Sequence, residues 1–359
     1  MGIKMLHTAD LHLCSPFAAL DDKKAREMRA GQFVLLSEIV SLAGDENVDA
    51  ILIAGDLFDT ATVPHSDAAA AAAILGRTKI PIFIAPGNHD PITGRSPYSL
   101  AAWPENVHIF RSETITRVSF PDFDVYGAAF NSPFVEKSLL AGFSAERDKP
   151  SVMVLHGEPN QAQPRWNSIL PVEIAACGID YLALGHVHLR SEPQKLGKTT
   201  YAFPGCPGGR GFDELGEKGV YLVTIAGEVQ AQFVPLHARK FLTVTVELNE
   251  EVSPLKNALD ALPSGSGDAL IKLVLRGEFP PEKLDCKALC EALSDRAYYI
   301  KIYDETRLPT RVWNRTGQDS LTGIFLSLLQ DEKAAGNVSK VELAARFGLA
   351  AIDGEEAPF

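Results

Sequence analysis

What the 359-residue chain lacks narrows its reading first. Its five cysteines, Cys14, Cys177, Cys206, Cys286 and Cys290, are odd in number and scattered, with no CxxC pair among them. That disfavours a disulfide framework, a thiolate zinc site and a dithiol redox centre together, and leaves free thiols of a reducing compartment. No run of about 18 apolar residues occurs, and Met1-Gly2-Ile3-Lys4-Met5-Leu6 has no apolar signal core. Leu6 also stands where an N-myristoylation motif needs Ser or Thr. The expectation is a cytoplasmic protein with no membrane partner. Basic residues are in deficit too: 34 Lys and Arg face 46 Asp and Glu, for a net charge of −12. A surface that neutralises phosphates with Lys and Arg alone is disfavoured. A pocket holding two divalent cations carries its own positive charge, so a local potential can still oppose the global sum.

What is present is a soluble-protein composition, 46% apolar and 22% charged, long enough for a main domain and one or two lesser ones. From residue 1 to about 236, short apolar runs alternate with helical or turn segments, the pattern of a layered α/β core. A helix covers about Arg26 to Ala43, with Phe33, Leu36, Ile39 and Val40 on one face, and Ala68 to Leu75 is good helix material. Strands near Val107 to Phe110, Thr114 to Phe120 and Phe123 to Tyr126 carry no obvious chemistry.

Five other apolar runs do. Ile3 to Ala9 ends in Asp10-Leu11-His12, and Ala50 to Ala54 ends in Gly55-Asp56-Leu57-Phe58-Asp59. Ile80 to Ala85 runs into Pro86-Gly87-Asn88-His89-Asp90, Val152 to Leu155 into His156, and Tyr181 to Leu184 into Gly185-His186-Val187-His188. A lone Gly-Asp is a turn and a lone His a core or surface residue. Five such clusters at carboxyl ends, where layered α/β sheets place their ligand sites, point to one shared site.

Collected, the side chains are Asp10, His12, Asp56, Asn88, His156, His186 and His188. Two carboxylates, one amide oxygen and four imidazoles suffice for two adjacent divalent metals if one carboxylate bridges them. No thiolate is among them, which disfavours a structural zinc site. His186 and His188, two apart on an extended segment, point to opposite sides and suit different metals. Two metals roughly 3.5–4 Å apart clamp a phosphate and lower the pKa of a bridging water, giving phosphodiester hydrolysis by a metal-bridged hydroxide. His89 has no need to be a ligand and is placed to protonate or hydrogen-bond the leaving group.

Asp10-x-His12, Gly55-Asp56, Gly87-Asn88-His89-Asp90, His156 and Gly185-His186-x-His188 resemble the five motifs of calcineurin-like metallophosphoesterases, in the family's order. The resemblance implies Asp10, His12, Asp56 and His188 on one metal, and Asp56, Asn88, His156 and His186 on the other. It puts His89 in the place of the catalytic histidine and Asp90 in that of its orienting partner. Within that superfamily the chain resembles SbcD-type DNA repair exonucleases through Leu6-His7-Thr8-Ala9-Asp10-Leu11-His12-Leu13, Gly55-Asp56-Leu57-Phe58-Asp59, and Pro204-Gly205-Cys206-Pro207 leading to Gly211-Phe212-Asp213-Glu214. It departs at Cys14, where relatives commonly have Gly, at Leu11, where many have Trp, and at Asp59, where some carry a His associated with substrate handling. The resemblance implies manganese as the metal, with iron or zinc also suited to the ligand set, and it implies a dimer.

Several signals are set aside. Gly197-Lys198-Thr199 lacks the upstream Gly of a nucleotide-binding loop, having Glu192 in its place. Gly205, Gly208, Gly209 and Gly211 form a turn, with Arg210 a candidate for touching a DNA backbone. His7, His65, His108 and His237 read as structural or surface residues.

After about residue 236 the pattern changes to strand (Leu242 to Leu248), helix (Pro254 to Leu262), strand (Ala269 to Leu275), helix (Lys287 to Leu293) and strand (Ala297 to Tyr303). This small α+β unit stands where SbcD-type nucleases carry a capping domain that contacts DNA. Arg307, Arg311 and Arg315 around Trp313 suit single-stranded nucleic acid, an acidic partner surface or a solvated linker. Leu321, Ile324, Phe325, Leu328 and Leu329 form one apolar helical stripe, and Ser339-x-x-Glu342 reads as a capping box opening a second helix. Glu342 to Leu349 is similar to the first half of a helix-turn-helix, but too little chain follows Gly348 for a recognition helix. Such helices pack on their own cap or, as the resemblance implies, bind the coiled-coil base of an ATPase partner.

The expected architecture is therefore an α/β layered metallophosphoesterase core with a small α+β cap and C-terminal helices. Its divisions are a nuclease domain at 1–236, a capping domain at 237–305, and a linker with partner-binding helices at 306–359. The function expected is a dinuclear-metal DNA nuclease, the exonuclease subunit of a repair complex with a coiled-coil ATPase. A metallophosphoesterase for a nucleotide or other small phosphodiester is the alternative. A catalytically inactive scaffold is disfavoured because all seven ligands and His89 are present.

Overall fold

The computed structural model describes residues 2–146, 148–159, 165–334 and 336–354. Two compact units divide the chain, residues 1–238 and 239–359.

The first unit is built on two six-stranded sheets. Sheet I runs in the order Glu228–Pro235, Gly219–Ala226, Ile3–Thr8, Ala50–Ile53, Ile82–Ile84, Val107–Ile109. Its last four strands are parallel, and the hairpin of its first two lies antiparallel to Ile3–Thr8. Sheet II runs in the order Gln194–Leu196, Thr199–Ala202, Tyr181–Gly185, Ser151–His156, Asp124–Gly127, Thr116–Ser119, parallel within and antiparallel at both edges.

The apolar runs are long because their strands are buried on both faces. In sheet I, Met5, Leu52 and Phe83 face Val125, Val152, Val154, Tyr181 and Ala183 of sheet II. The alternate residues, Leu6, Ile51, Ile53, Ile82 and Ile84, face Leu36, Ile39 and Val40 of helix Asp22–Asp45 and Ala68, Ala71 and Leu75 of helix His65–Leu75. Asp21 starts the first of these helices by accepting from Lys24 N at 2.9 Å. The outer face of sheet II is covered by Leu140, Ile174, Cys177 and Ile179. The layered α/β core expected from the sequence is borne out.

The sequence reading passed over the four strands between Gln194 and Pro235. Glu228–Pro235 alternates between exposed and half-buried positions, and such strands lack the apolar density that marks a central one. Gly197-Lys198-Thr199, set aside as a phosphate loop, is the tight turn between two of them, with Gly197 at φ 60°.

In the second unit, Phe241–Glu247, Leu270–Arg276 and Tyr299–Asp304 form a parallel sheet in that order. Helices Pro254–Ala261 and Cys286–Ala292 join the strands, and Ala258 and Leu289 close the core over Val244, Val246, Ile271, Leu273 and Leu275. Helices Leu321–Ala334 and Val338–Asp353 follow.

The expected apolar stripe of the first of these helices is divided. Phe325 and Leu329 pack with Leu326, Ala345 and Leu349, whereas Leu321, Ile324 and Leu328 are 68%, 56% and 67% exposed. Trp313, expected as a base-stacking candidate, packs on the same cluster, and Arg311 is paired with Glu250. The second helix begins at Val338, so Ser339, expected as its cap, lies inside the first turn. Glu342 instead accepts from Leu308 N at 3.1 Å. That helix runs unbroken through Gly348, where the Phe325 ring crosses so closely that a Cβ would lie 2.1 Å from it.

The two sheets of the first unit approach closely at Gly185, where a Cβ would fall 1.8 Å from the Ala54 carbonyl oxygen. Backbone cannot yield there as a side chain would. Gly185→Ala is expected to cost about 1–3 kcal/mol or more of stability, read as a lowered denaturant midpoint. An unchanged midpoint would mean that the sheets separate more easily than their packing implies.

Candidate active site

Because the two sheets lie face to face, the carboxyl ends of their parallel strands open onto one rim, and every site residue expected from the sequence is found there. Asp10 and His12 follow Ile3–Thr8, Asp56 follows Ala50–Ile53, and Asn88, His89 and Asp90 follow Ile82–Ile84. His156 ends its own strand, and His186 and His188 follow Tyr181–Gly185.

Backbone conformation serves this convergence. Asp10, His12, Asp56 and His186 have φ of 53°, 47°, 48° and 106°, conformations that L-residues rarely adopt. Strained residues cluster where the surroundings over-determine them, as in functional sites. Here the surroundings are hydrogen bonds between loops: Asp10 N to Gly55 O at 3.0 Å, His12 N to Asp56 O at 2.9 Å and Leu13 N to Leu57 O at 2.8 Å. The motif glycines clear space for side chains. A Cβ on Gly55 would sit 2.2 Å from His156 Nδ1, and one on Gly87 would sit 2.3 Å from Asp56 Oδ1.

Asp56 lies at the centre. Its Oδ2 is 3.7 Å from His12 Nε2 and 3.4 Å from His156 Nε2, while its Oδ1 accepts from His89 N at 2.9 Å. To one side, His12 Nε2 and His188 Nε2 face each other at 3.1 Å, and Asp10 completes the group. To the other, Asn88 Oδ1 lies 2.9 Å from His156 Nε2 and 3.1 Å from His186 Nδ1. The Asp10 carboxylate accepts from His186 N at 3.0 Å.

This donor set fits cations. His12 Nδ1 is 3.2 Å from Asp59, His188 Nδ1 donates to Glu214 at 2.7 Å, and His156 Nδ1 donates to the Ala54 carbonyl at 3.0 Å. Each contact favours a proton on Nδ1 and turns the Nε2 lone pair inward, toward other lone pairs. Acceptors crowded within hydrogen-bond distance need a proton or a metal ion between them. Asp10, His12, Asp56 and His188 could hold one ion, with Asp56, Asn88, His156 and His186 around a second.

The electrostatics agree. Burial pushes Asp10 up to about 6 and His12 and His186 down to about 4 and about 3. Burial would also strip His156 of its proton, but the Asp56 carboxylate overrides it and lifts the imidazole to about 9. Burial would raise Asp56, yet His156 beside it holds that carboxyl well below the usual range. The Asp56 carboxylate thus favours positive charge at His156, as it would favour a cation.

Two assignments change. Asp90, expected to orient His89, accepts instead from Gly87 N at 2.8 Å, Phe58 N at 3.0 Å and the Tyr98 hydroxyl. It fixes the Gly87–Asp90 loop, while the His89 ring is held through Nδ1 by the Asp59 carbonyl at 2.8 Å. Arg210, expected to touch a DNA backbone, turns inward and donates to Asp59 at 2.9 Å and Glu214 at 2.8 Å. Its Nη2 also lies 2.9 Å from His188 Nδ1; both are donors there, so the shared acceptor is Glu214.

Sequence reasoning missed this outer ring of support. Gln32 donates to the His12 carbonyl at 2.7 Å, and Asn167 donates to the His156 carbonyl at 2.8 Å. The exposed His89 ring stands edge-on to His12, with centroids 4.7 Å apart, at the mouth of the site.

A metal joining His156 must displace its proton. Since the pKa is raised to about 9, binding at pH 7 is expected to release a proton and to tighten about tenfold per pH unit until the pH nears that value. Calorimetry in buffers of different ionisation enthalpy measures this. Absence of proton release would place His156 outside the ligand set.

The comparisons bear on this geometry directly. Residues 3–190 match the family model of the calcineurin-like phosphoesterases. YhaO of Bacillus subtilis, an uncharacterized metallophosphoesterase, is 27% identical, covering 92% of this chain and 86% of that protein. Mre11 of Saccharolobus solfataricus, a DNA double-strand break repair protein, is 26% identical over 85% of this chain and 83% of its own length. Mre11 of Sulfurisphaera tokodaii is 26% identical over 84% and 80%. The family match spans more than half of the chain and ends just beyond the last strand-end motif, so the protein belongs to the calcineurin-like phosphoesterases and is a metal-dependent phosphodiesterase.

Proposed function

We propose that the protein is a DNA nuclease, the exonuclease subunit of a repair complex of the SbcD type. The observation that carries this is the extent of the similarity to the Mre11 proteins. It covers 85% of the chain, whereas the match to the general family stops at residue 190 of 359. The likeness therefore reaches into the second unit, where substrate choice is expected to reside. In this reading residues 1–236 are the nuclease domain, 237–305 the cap and 306–359 the linker and partner-binding helices, and the protein works as a dimer.

When bound, the two divalent ions, manganese in this reading, supply an activated water and neutralise the phosphate. Asp10, His12, Asp56 and His188 would hold one, and Asp56, Asn88, His156 and His186 the other. Asp56, common to both sets, accepts from the His89 amide and so is tied to the loop that carries the proton donor. His89 donates its Nδ1 proton to the Asp59 carbonyl, and in its doubly protonated form it would deliver the Nε2 proton to the leaving oxygen. Glu214 and Asp59, linked by Arg210, set the ring orientations of His188 and His12.

The test is incubation of the protein with linear duplex DNA, single strands and a generic phosphodiester, with Mn²⁺ and with chelator. Metal-dependent cleavage of DNA is expected, and His89→Ala should keep its metal while turnover falls by about 10²–10⁴. Cleavage of the generic ester alone, with DNA untouched even beside the ATPase, would sink the nuclease reading. It would favour a small phosphodiester or nucleotide as substrate, the reading to which the net charge of −12 is better suited.

Leu321, Ile324 and Leu328 form the exposed half of the helix stripe. They are the surface we assign to the coiled-coil ATPase. Replacing all three with Glu should abolish co-purification with that partner and leave generic esterase activity intact. An unaffected complex would refute the assignment.

A further inference from the structure

One aromatic ring beside the metal cluster has no part in the chemistry above. The indole of Trp166 lies 5.5 Å from the His186 imidazole, centroid to centroid, at an interplanar angle of 41°. The residue is half-buried: part of it packs at the site and the remainder is open to solvent.

Its position is built. Trp166 forms a bridge with Val135, whose N–H donates to the Arg165 carbonyl at 2.8 Å and whose carbonyl accepts from Asn167 N at 2.8 Å. Asn167 is fully buried, with φ 56°, and its side chain accepts from Leu139 N at 2.7 Å and donates to the His156 carbonyl at 2.8 Å. Gly157 makes room for this join, since a Cβ there would fall 2.5 Å from the Asn167 carbonyl oxygen. The segment is thus anchored to the backbone of a residue in the metal cluster, and the indole is indexed to the reacting centre.

A large ring serving only the core is more stable fully buried. A ring left partly open beside a phosphodiesterase centre is a stacking platform. In nucleic acid an aromatic base hangs one sugar away from each phosphate, and every base offers a π-face, so stacking works without reading sequence. It also supplies affinity without basic charge, which this acidic chain has in deficit.

We propose that Trp166 is a specificity-determining residue that stacks on the nucleobase next to the scissile phosphate, with the phosphate between His89 and His186. The proposal rests on the nucleic-acid reading and adds the subsite that selects for a base. The competing role is a buttress for His186, which would show in metal binding rather than in base recognition.

The experiment uses full-length, Mn²⁺-loaded protein in a His89→Ala background, where binding is read without turnover. Oligothymidylate and an abasic strand of equal length are titrated by tryptophan fluorescence and by competition. Trp166→Ala should weaken oligothymidylate binding by about 5- to 150-fold and leave the abasic strand and the metal content unchanged. Trp166→Phe should keep most of the affinity and lose the base-dependent quenching. Equal loss for both strands, a fall in metal content, or no loss at all would overturn the proposal. Duplex DNA cleavage, measured in parallel with His89 intact, reports on the nuclease reading separately. Cleavage without any dependence on Trp166 would sink this inference alone. Base-dependent binding without DNA cleavage would uphold it for a nucleoside phosphodiester.

Discussion

Lone pairs turned inward are the constraint on which the first unit depends. Asp56 sits between His12 and His156, and His12 and His188 present Nε2 to each other at 3.1 Å. No apolar core tolerates such a gathering of acceptors unless positive charge fills it. The surroundings hold the lone pairs in place by occupying the other nitrogens: Glu214 and Asp59 for two imidazoles, a backbone carbonyl for a third. Two sheets, four backbones at positive φ and a set of loop-to-loop hydrogen bonds hold this unfavourable gathering of acceptors together.

The support is unequal across the cluster. His12 and His188 lean on carboxylates that one guanidinium joins, whereas His156 leans on the neutral Ala54 carbonyl. A carboxylate behind an imidazole holds the ring and its Nδ1 proton more firmly than a neutral carbonyl does. Asp59 takes part in both halves of the machinery, its carboxylate beside His12 and its carbonyl on His89. A residue that the sequence marks only as a departure from relatives is thus the join between His12 and His89.

What could be read without coordinates followed from periodicity. Buried parallel strands are continuous apolar runs, so their ends are easy to find, and Asp10, Asp56, Asn88, His156 and His186 are the polar residues at those ends. What could not be read were contacts across long separations. Glu214 meets His188 from 26 residues away, Asn167 meets His156 through its side chain, and Trp166 reaches His186 through a bridge to Val135. None carries a local pattern. Asp90 shows the converse: adjacency to His89 suggests a partnership, but successive residues of a turn point different ways, and its carboxylate closes the turn instead. The split stripe of helix Leu321–Ala334 has the same cause, since spacing shows that a face is apolar and not what covers it.

Consider finally how far apart along the chain the facing imidazoles lie. His12 and His188 are 176 residues apart, and the strands that carry them belong to different sheets. Contacts of such sequence separation are slow to form, because the chain must close long loops before they repay the entropy. A partly folded molecule holds fragments of the cluster but no complete cage. Cations that bind only the complete cage stabilise only the finished fold. Ligand geometry therefore ties hydrolytic competence to the complete fold: a chain whose two sheets have not met lacks the facing pair of His12 and His188.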